Sequence, residues 1–368
     1  MSKGNQIHEY ALHVREELIT AICRVLGAVT GRLASRQDTV PPPNPSIVIL
    51  RRCCLGDVLS STPMVDAIRR RYPLARIDYA TSAYARPAIE GNPDLSGTIE
   101  PRVASLRRGR YDVAITLERS PAAGMLPWLA GIPIRVGPNN LSRGFAHNLR
   151  VACPPDRSEA GIALDCAAAL GVSTDGARAR FCPTDHDEAA AAKLLDDAGL
   201  ASAQLVAMAP GGGVNPGMSL TGKRWPPNRF AALAERLFED FGWRTILLGG
   251  PGDRPSGQAV AGAAPSSHDF TGGTSFGQMG ALIRRCRLFV GNDSSPLHLA
   301  AAVGTPFAGI FGPSDPVRHR PFGRGEAVAA RIPRSAYRNG FADVDCIEMV
   351  TLEEVLGACL RLAGAPGS

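Results

Sequence analysis

Three short stretches hold residue types that could bind an anion or move a proton. In residues 289–316 an apolar strand runs into Gly291-Asn292-Asp293, two hydroxyls at Ser294 and Ser295, Pro296 and then His298. A serine there can cap a helix, Pro296 suits a first turn whose N–H needs no partner, and Gly304 can end the helix in the left-handed conformation. The first-turn amides and positive dipole end would then face a loop at the carboxyl end of a parallel strand, where a diphosphate fits. Asp293 reads either as an Asx-type turn residue or as a donor contact, and His298 either packs on a loop or donates to a nucleotide. Lys223 either neutralises a phosphate as a point charge or stays solvated. Asp57, after the first strand and Gly56, either caps the next helix or offers a carboxylate base to a cleft.

These residues need a scaffold that delivers them to one place. Residues 46–51 read as a first strand and 58–72 as a helix, followed by a strand at 77–80, a helix from about 84, and strands at 113–117 and 134–136. Residues 139–148, polar and rich in Gly and Arg, read as a surface loop, and a helix at 159–170 leads to a Gly/Ser/Thr-rich hinge at 171–176. The second half repeats the alternation. Strand 205–208, loop Pro210-Gly211-Gly212-Gly213, helix 227–241, strand 245–248, loop Gly249-Gly250-Pro251-Gly252-Asp253 and helix 278–285 lead into the stretch 289–316. This pattern predicts an α/β protein with parallel sheets, whose ligands bind beyond the carboxyl ends of the strands. Three glycine- or hydroxyl-rich loops at such ends favour a nucleotide. The absence of GxGxxG and GxxxxGK[ST] counts against an ordinary dehydrogenase or ATPase. The expected units are 1–45, an amphipathic helix and proline-rich linker, then domains at 46–175 and 176–368, with the last helix a candidate to pack back on the first domain.

Composition narrows the partners. The formal net charge of +6, with Arg102, Arg107, Arg108, Arg110 and Arg119 gathered in the first half, favours an acidic ligand or surface. Nucleic acid is not expected, since zinc-finger spacing and RNP-type aromatics are missing. Nine cysteines without a CxxC pair fit a reducing cytoplasm, and Cys53-Cys54 read as small core residues. No apolar run reaches the about 18 residues that span a bilayer, and the start lacks a signal-peptide core. Residues 6–33 predict one helix with Ile7, Ala11, Val14, Leu18, Ile22, Val25 and Val29 on a shared face. That face is open to packing on the body, to another chain, or to a membrane surface.

The segments Arg51-Arg52-Cys53-Cys54-Leu55-Gly56-Asp57-Val58-Leu59 with Thr62-Pro63, Gly222-Lys223-Arg224-Trp225-Pro226, and Gly291-Asn292-Asp293-Ser294-Ser295-Pro296-Leu297-His298-Leu299 with Phe311-Gly312-Pro313-Ser314-Asp315-Pro316 resemble, in that order, motifs of the glycosyltransferase family 9 heptosyltransferases. The resemblance runs from about residue 45 to the C-terminus. It implies the GT-B architecture, two Rossmann-like domains with a cleft between them, here preceded by the N-terminal amphipathic helix. It also implies an inverting transfer of a sugar, heptose foremost, from an ADP-sugar to a hydroxyl of a glycan such as a lipopolysaccharide core. Two departures stand out: the usual Asp-Thr-Gly turn is Asp293-Ser294-Ser295, and residues 1–40 lie outside the family core.

On this resemblance Asp57 is the general base and Lys223 neutralises the leaving diphosphate. Gly211, Gly212, Lys223, Asp253, Asp293, Ser294, Ser295 and His298 bind the donor, and Arg52, Arg119 and Arg143 bind an anionic glycan or glycolipid acceptor. No cofactor is expected, nor a protein-built metal site, because no His/Asp/Glu cluster has ligand spacing. The expected location is cytoplasmic, with peripheral contact at the inner face of the membrane or self-association through the N-terminal helix. A sugar-nucleotide epimerase of the same architecture and a non-catalytic nucleotide-sugar-binding protein are the rival readings.

Overall fold

The computed structural model of the chain describes residues 17–28, 39–216, 218–338 and 340–364. Its first sheet has strands β1 (Ser46–Leu50), β2 (Arg76–Ala80), β3 (Gly97–Ile99), β4 (Val113–Thr116), β5 (Ile134–Pro138) and β6 (Leu149–Val151), in the spatial order 3-2-1-4-5-6. In the second half come β7 (Leu205–Ala209), a short hairpin of β8 (Val214–Asn215) and β9 (Met218–Ser219), then β10 (Arg244–Leu247), β11 (Ser267–Asp269), β12 (Leu288–Asn292), β13 (Phe307–Phe311) and β14 (Gly325–Ala329). The second sheet runs 11-10-7-12-13-14, the same winding as the first. Within both sheets every strand pair is parallel.

Continuous apolar runs explain this architecture. Every residue of β7, β12 and β13 is buried, as expected of strands covered by helices on both faces. In each sheet the winding reverses beside the central strand, between β1 and β4 and between β7 and β12, which opens a crevice at the strand ends. Asp57 follows β1, Arg119 follows β4, the glycine loop follows β7 and Asp293 follows β12. The expected residues therefore share two facing crevices. One apolar cluster joins the domains, containing Val58 and Leu59 of the first and Leu297, Leu299 and Ala300 of the second.

Four expectations change. The helix expected at 58–72 is two helices, Leu55–Ser60 and Thr62–Arg71, because Pro63 has no N–H to continue the first and instead opens the second. Residues 139–148 are not simply a surface loop, since Phe145, Ala146 and His147 are buried and the segment feeds β6. The terminal helix Leu352–Ala363 packs on the second sheet and not back on the first domain: its buried Val355, Ala358 and Cys359 share a core with Val206, Leu288 and Ile310. Cys53 and Cys54 are only partly buried, at the rim where the Leu55–Ser60 helix begins. Burial, with a hydrogen bond involving Cys53, pushes the Cys54 thiol up to about 12, far from a reactive thiolate.

Residues 17–28 form a helix; the rest of the helix expected at 6–33 lies outside the described residues. It seats Ile19 and Cys23 against Met125, Phe145 and Ala146. Of the three roles open to the apolar row, packing on the body falls away for its described part, since Leu18, Ile22 and Val25 point outward, each at least half exposed, at 60%, 50% and 66%. Among the described residues no helix is long and apolar enough to cross a membrane.

Candidate active site

On the first domain, Asp57 lies in the opening turn of the Leu55–Ser60 helix, whose N-cap is Cys54. It therefore does not cap that helix. Its Oδ2 accepts from the Arg51 guanidinium at 2.5 Å, and Arg51 also donates to the Leu117 carbonyl at 2.7 Å. Burial opposes ionisation of Asp57, but the charge and hydrogen bond of Arg51, helped by His298 and His319, outweigh it and hold the carboxyl below its ordinary range. Asp57 is thus ionised at neutral pH, with Oδ1 left to accept a proton. Gly56 serves a close approach rather than a tight turn, since a Cβ there would sit 2.8 Å from the His298 ring.

On the second domain, three loops are tied together by Asn292. Its side-chain oxygen accepts from the Trp225 amide at 2.9 Å, and its side-chain nitrogen donates to the carbonyls of Pro210 and Gly211, both at 3.0 Å. Asp253 works beside it, accepting from the amides of Gly212 at 2.7 Å and Gly250 at 3.0 Å. It organises the loops, and Gly211 must lack a Cβ because one would collide with it at 2.3 Å. Gly212, at φ +95°, packs against Ser294. Ser294 is the N-cap of the helix Ser295–Val303 but makes no side-chain cap, since its hydroxyl donates to the Asn292 carbonyl at 3.1 Å. Of the first-turn positions Pro296 has no N–H and the Leu297 amide donates to the Ser294 carbonyl at 3.1 Å, so the Ser295 amide and the positive end of the helix dipole are left for an incoming anion.

Lys223 Nζ donates to Asp293 Oδ2 at 2.7 Å and to its carbonyl at 3.2 Å, and lies 5.3 Å over the Phe341 ring. Both side chains are nearly buried, 11% and 5% exposed. Burial alone would raise Asp293, but Lys223, with His319 and His298, holds it at about 2. His298, also close to Asp293, is pushed down by burial against the pull of Asp293 and Asp57, so it is neutral at pH 7.

The two sides meet directly. His298 Nδ1 is 3.0 Å from the Ser60 hydroxyl, linking the phosphate-type helix to the helix of Asp57. Glu159 Oε1 accepts from Arg119 at 2.8 Å and from Arg318 of the other domain at 2.9 Å. A cavity of about 190 Å³ opens beside this bridge, lined by Arg119, Arg318, Asn140, Asp315 and Tyr337 among others. Arg52 is exposed and pairs with Glu118, its amide donating to Oε1 at 2.6 Å, and it does not line this cavity. Arg143 lies elsewhere, near enough to the N-terminal helix to act on the Cys23 thiol. Among the described residues no group of three or more His, Cys, Asp or Glu stands where it could hold a metal ion.

Six residues of the site were not among the expected ones: Arg51, Ser60, Glu159, Asn292, Arg318 and His319. Of these Arg51 and Asn292 carried a sequence signal, Arg51 as the first residue of the motif that holds Asp57 and Asn292 through its place between Gly291 and Asp293.

Two doubly wound domains that set a carboxylate opposite a lysine and an anion-receptive helix end define a GT-B glycosyltransferase. The sequence profile described as glycosyltransferase family 9 (heptosyltransferase) matches residues 103–338, more than half of the chain, and the chain belongs to this family. It is similar to lipopolysaccharide heptosyltransferase 2 of Salmonella typhimurium, 27% identical over 299 residues that cover 73% of this chain and 83% of the relative. The Escherichia coli protein of the same name is 27% identical over 296 residues, with the same coverage of 73% and 83%. Among solved structures, a family 9 glycosyltransferase from Veillonella parvula has a TM-score of 0.72 at 23% identity, covering 89% of this chain and 99% of that one. Escherichia coli ADP-heptose LPS heptosyltransferase II has 0.69 at 23%, covering 86% and 98%.

Proposed function

We propose that this glycosyltransferase moves a heptose from ADP-heptose to a hydroxyl of an anionic glycan of the lipopolysaccharide-core type, with inversion at the anomeric carbon. The observation that carries the reading is the direct apposition of the two half-sites, in which the helix of Asp57 touches the phosphate-type helix through Ser60 and His298. The names of the relatives, ADP-heptose and lipopolysaccharide heptosyltransferases, supply the donor and acceptor classes.

In this reading Asp57 Oδ1 takes the proton of the acceptor hydroxyl as its oxygen attacks the anomeric carbon. Arg51 meanwhile keeps the carboxylate oriented and ionised. The departing diphosphate is met by the Ser295 amide, by the positive end of the Ser295–Val303 helix dipole and by Lys223, which stabilise the charge that develops on it. Arg119 and Arg318 share the one carboxylate of Glu159 while Arg334 lies 3.7 Å from Asp315, so the three arginines outnumber the two carboxylates and leave positive charge beside the 190 Å³ cavity for an anionic group on the acceptor. With lysine and the positive end of the helix on the leaving group, no divalent metal is required.

Incubation with ADP-heptose and a heptose-deficient core glycolipid tests this directly. The expected product is the acceptor carrying one added heptosyl residue, formed equally with EDTA present. Isomerised nucleotide sugar without transfer would sink the reading, and activity abolished by EDTA and restored by Mg²⁺ would sink its metal-free part.

The outward row Leu18, Ile22 and Val25 gives the protein a peripheral contact with the inner face of the membrane that holds a glycolipid acceptor. Co-flotation with anionic vesicles should be lost when these three become Ser. Dimerisation through the same row without flotation would replace this contact by self-association.

A further inference from the structure

The Ser60 hydroxyl has one proton and two neighbours that could take it. It is a buried helix residue, and its Oγ donates to the Gly56 carbonyl one turn back at 3.0 Å, a common use for a helical serine. The same Oγ is 3.0 Å from His298 Nδ1. With its proton on Gly56, Oγ can only accept from the imidazole, so Nδ1 must carry the N–H. A neutral ring has one such proton, so Nε2 keeps a lone pair.

That lone pair lies 4.0 Å from Asp293 Oδ1. Asp293 is ionised and already uses Oδ2 for Lys223. Two acceptors at 4.0 Å cannot bond each other, and neither offers anything to a phosphate oxygen, which also accepts only. A hydroxyl can donate to either one. The phosphate end of the donor is served elsewhere, by Lys223, the Ser295 amide and the positive end of the helix.

Building on the donor proposed above, we infer that Ser60 is a positioning residue that fixes His298 as the Nδ1–H tautomer. Nε2 and Asp293 Oδ1 then form a two-acceptor clamp for hydroxyls of the donor's sugar and not for its diphosphate. The clamp is assembled across the domain boundary, because Ser60 belongs to the first domain and His298 and Asp293 to the second. Gly56 lets the ring close on the helix, since a Cβ there would push it away at 2.8 Å.

Two measurements test this. Long-range ¹H–¹⁵N correlation on the ring of His298, assigned against His298→Ala, should show a protonated Nδ1 and a bare Nε2 in the wild type. The opposite tautomer overturns the inference. Calorimetric titration with ADP and with ADP-heptose should show that Ser60→Ala and His298→Ala weaken ADP-heptose by about three- to tenfold, the worth of one hydrogen bond. ADP should bind within about twofold of wild type, and Ser60→Thr, which keeps the hydroxyl, should recover most of the loss. Equal losses for both ligands would make His298 a phosphate contact and overturn the clamp, as would an unchanged preference in both variants. Wild-type protein that does not distinguish ADP-heptose from ADP would overturn the proposed donor together with the clamp. An unchanged melting temperature in Ser60→Ala separates positioning from a merely structural role.

Discussion

Asp57 is where sequence and structure inform each other most closely. The sequence left it open between helix cap and base, and the structure removes the cap by placing Asp57 inside the first turn with Arg51 on its carboxylate. Asp57→Asn should lower turnover by ~10²–10⁴, the usual cost of removing a base. The cost in stability should be small, because Arg51 keeps the Leu117 carbonyl and the nearby charges of Glu159 and Glu118. Turnover and melting of one preparation check both, and a folded variant above about a tenth of wild-type turnover would remove the base role.

Lys223 was legible as a cation in a loop, but its pairing with a buried Asp293, 70 residues away, was not. That pairing changes what Lys223→Ala should do. In the wild type Asp293 is depressed below its ordinary value of 3.8, so its stabilisation is present above that value and is lost only as pH falls toward about 2. Without Lys223 the dominant influence is burial, which raises the carboxyl. The variant should then gain stability as pH falls from neutral through the raised carboxyl's titration, where the wild type's Asp293 contribution stays level, besides binding nucleotide sugar at least about tenfold more weakly. Melting temperature against pH reads this, and parallel curves for the two proteins would show that Lys223 does not set the Asp293 charge.

At the scale of elements, the strand-loop-helix-strand unit around β12 and β13 was readable because its punctuation is local. Gly304 adopts φ +87° after the helix Ser295–Val303, and Pro296 lies in its first turn. The helix Pro227–Phe241, closed by Gly242 at φ +69°, was readable for the same reason. The break at Ser61 was signalled by Pro63 but masked by the apolar run through it. The N-terminal helix was left open for a different reason, since periodicity finds an apolar face without saying what covers it, and here the neighbouring row of Ile19 and Cys23 does the packing on the body.

What periodicity could not give is how loops far apart in sequence are joined, the task of Asn292. Asn292→Ala would leave the Trp225 amide and two carbonyls without partners in a site only 1% exposed. The expected loss is on the order of 2–3 kcal/mol in urea unfolding, with weaker nucleotide binding as the loops loosen. Asn292→Asp should be no better, because its carboxylate would face the carbonyls of Pro210 and Gly211. Near-wild-type stability in the Ala variant would mean that the loops hold themselves.

For the whole molecule the question is what keeps two separately wound domains in register. Apolar contact does part of it, through the cluster shared by Leu59 and Leu299, but such contact has little direction. Direction comes from polar contacts that cross the boundary, among them Arg180 with Asp66 and Asp94 and Glu159, which sets a single carboxylate oxygen between Arg119 and Arg318. None of this was legible beforehand, because Glu159 and Arg318 are 159 residues apart and neither belongs to a local pattern.

Glu159→Gln keeps the shape and one acceptor oxygen but removes the charge. Two guanidinium groups would then face each other with no anion between them, a repulsion only partly screened because all three side chains are at most 23% exposed. The domains should separate more readily, so the ligand-free variant should scatter X-rays with a larger radius of gyration than the wild type. Saturating ADP-heptose, whose sugar clamp is complete only with Ser60 of the first domain seated on His298, should draw it back. Because only the closed fraction binds well, apparent donor affinity should fall by the same factor as that fraction, while raised salt should narrow the difference between the proteins by screening the bare arginines. Identical scattering and identical donor affinity for the two proteins would mean that the other contacts across the boundary fix the domains without Glu159, which would then serve only the pocket beside it.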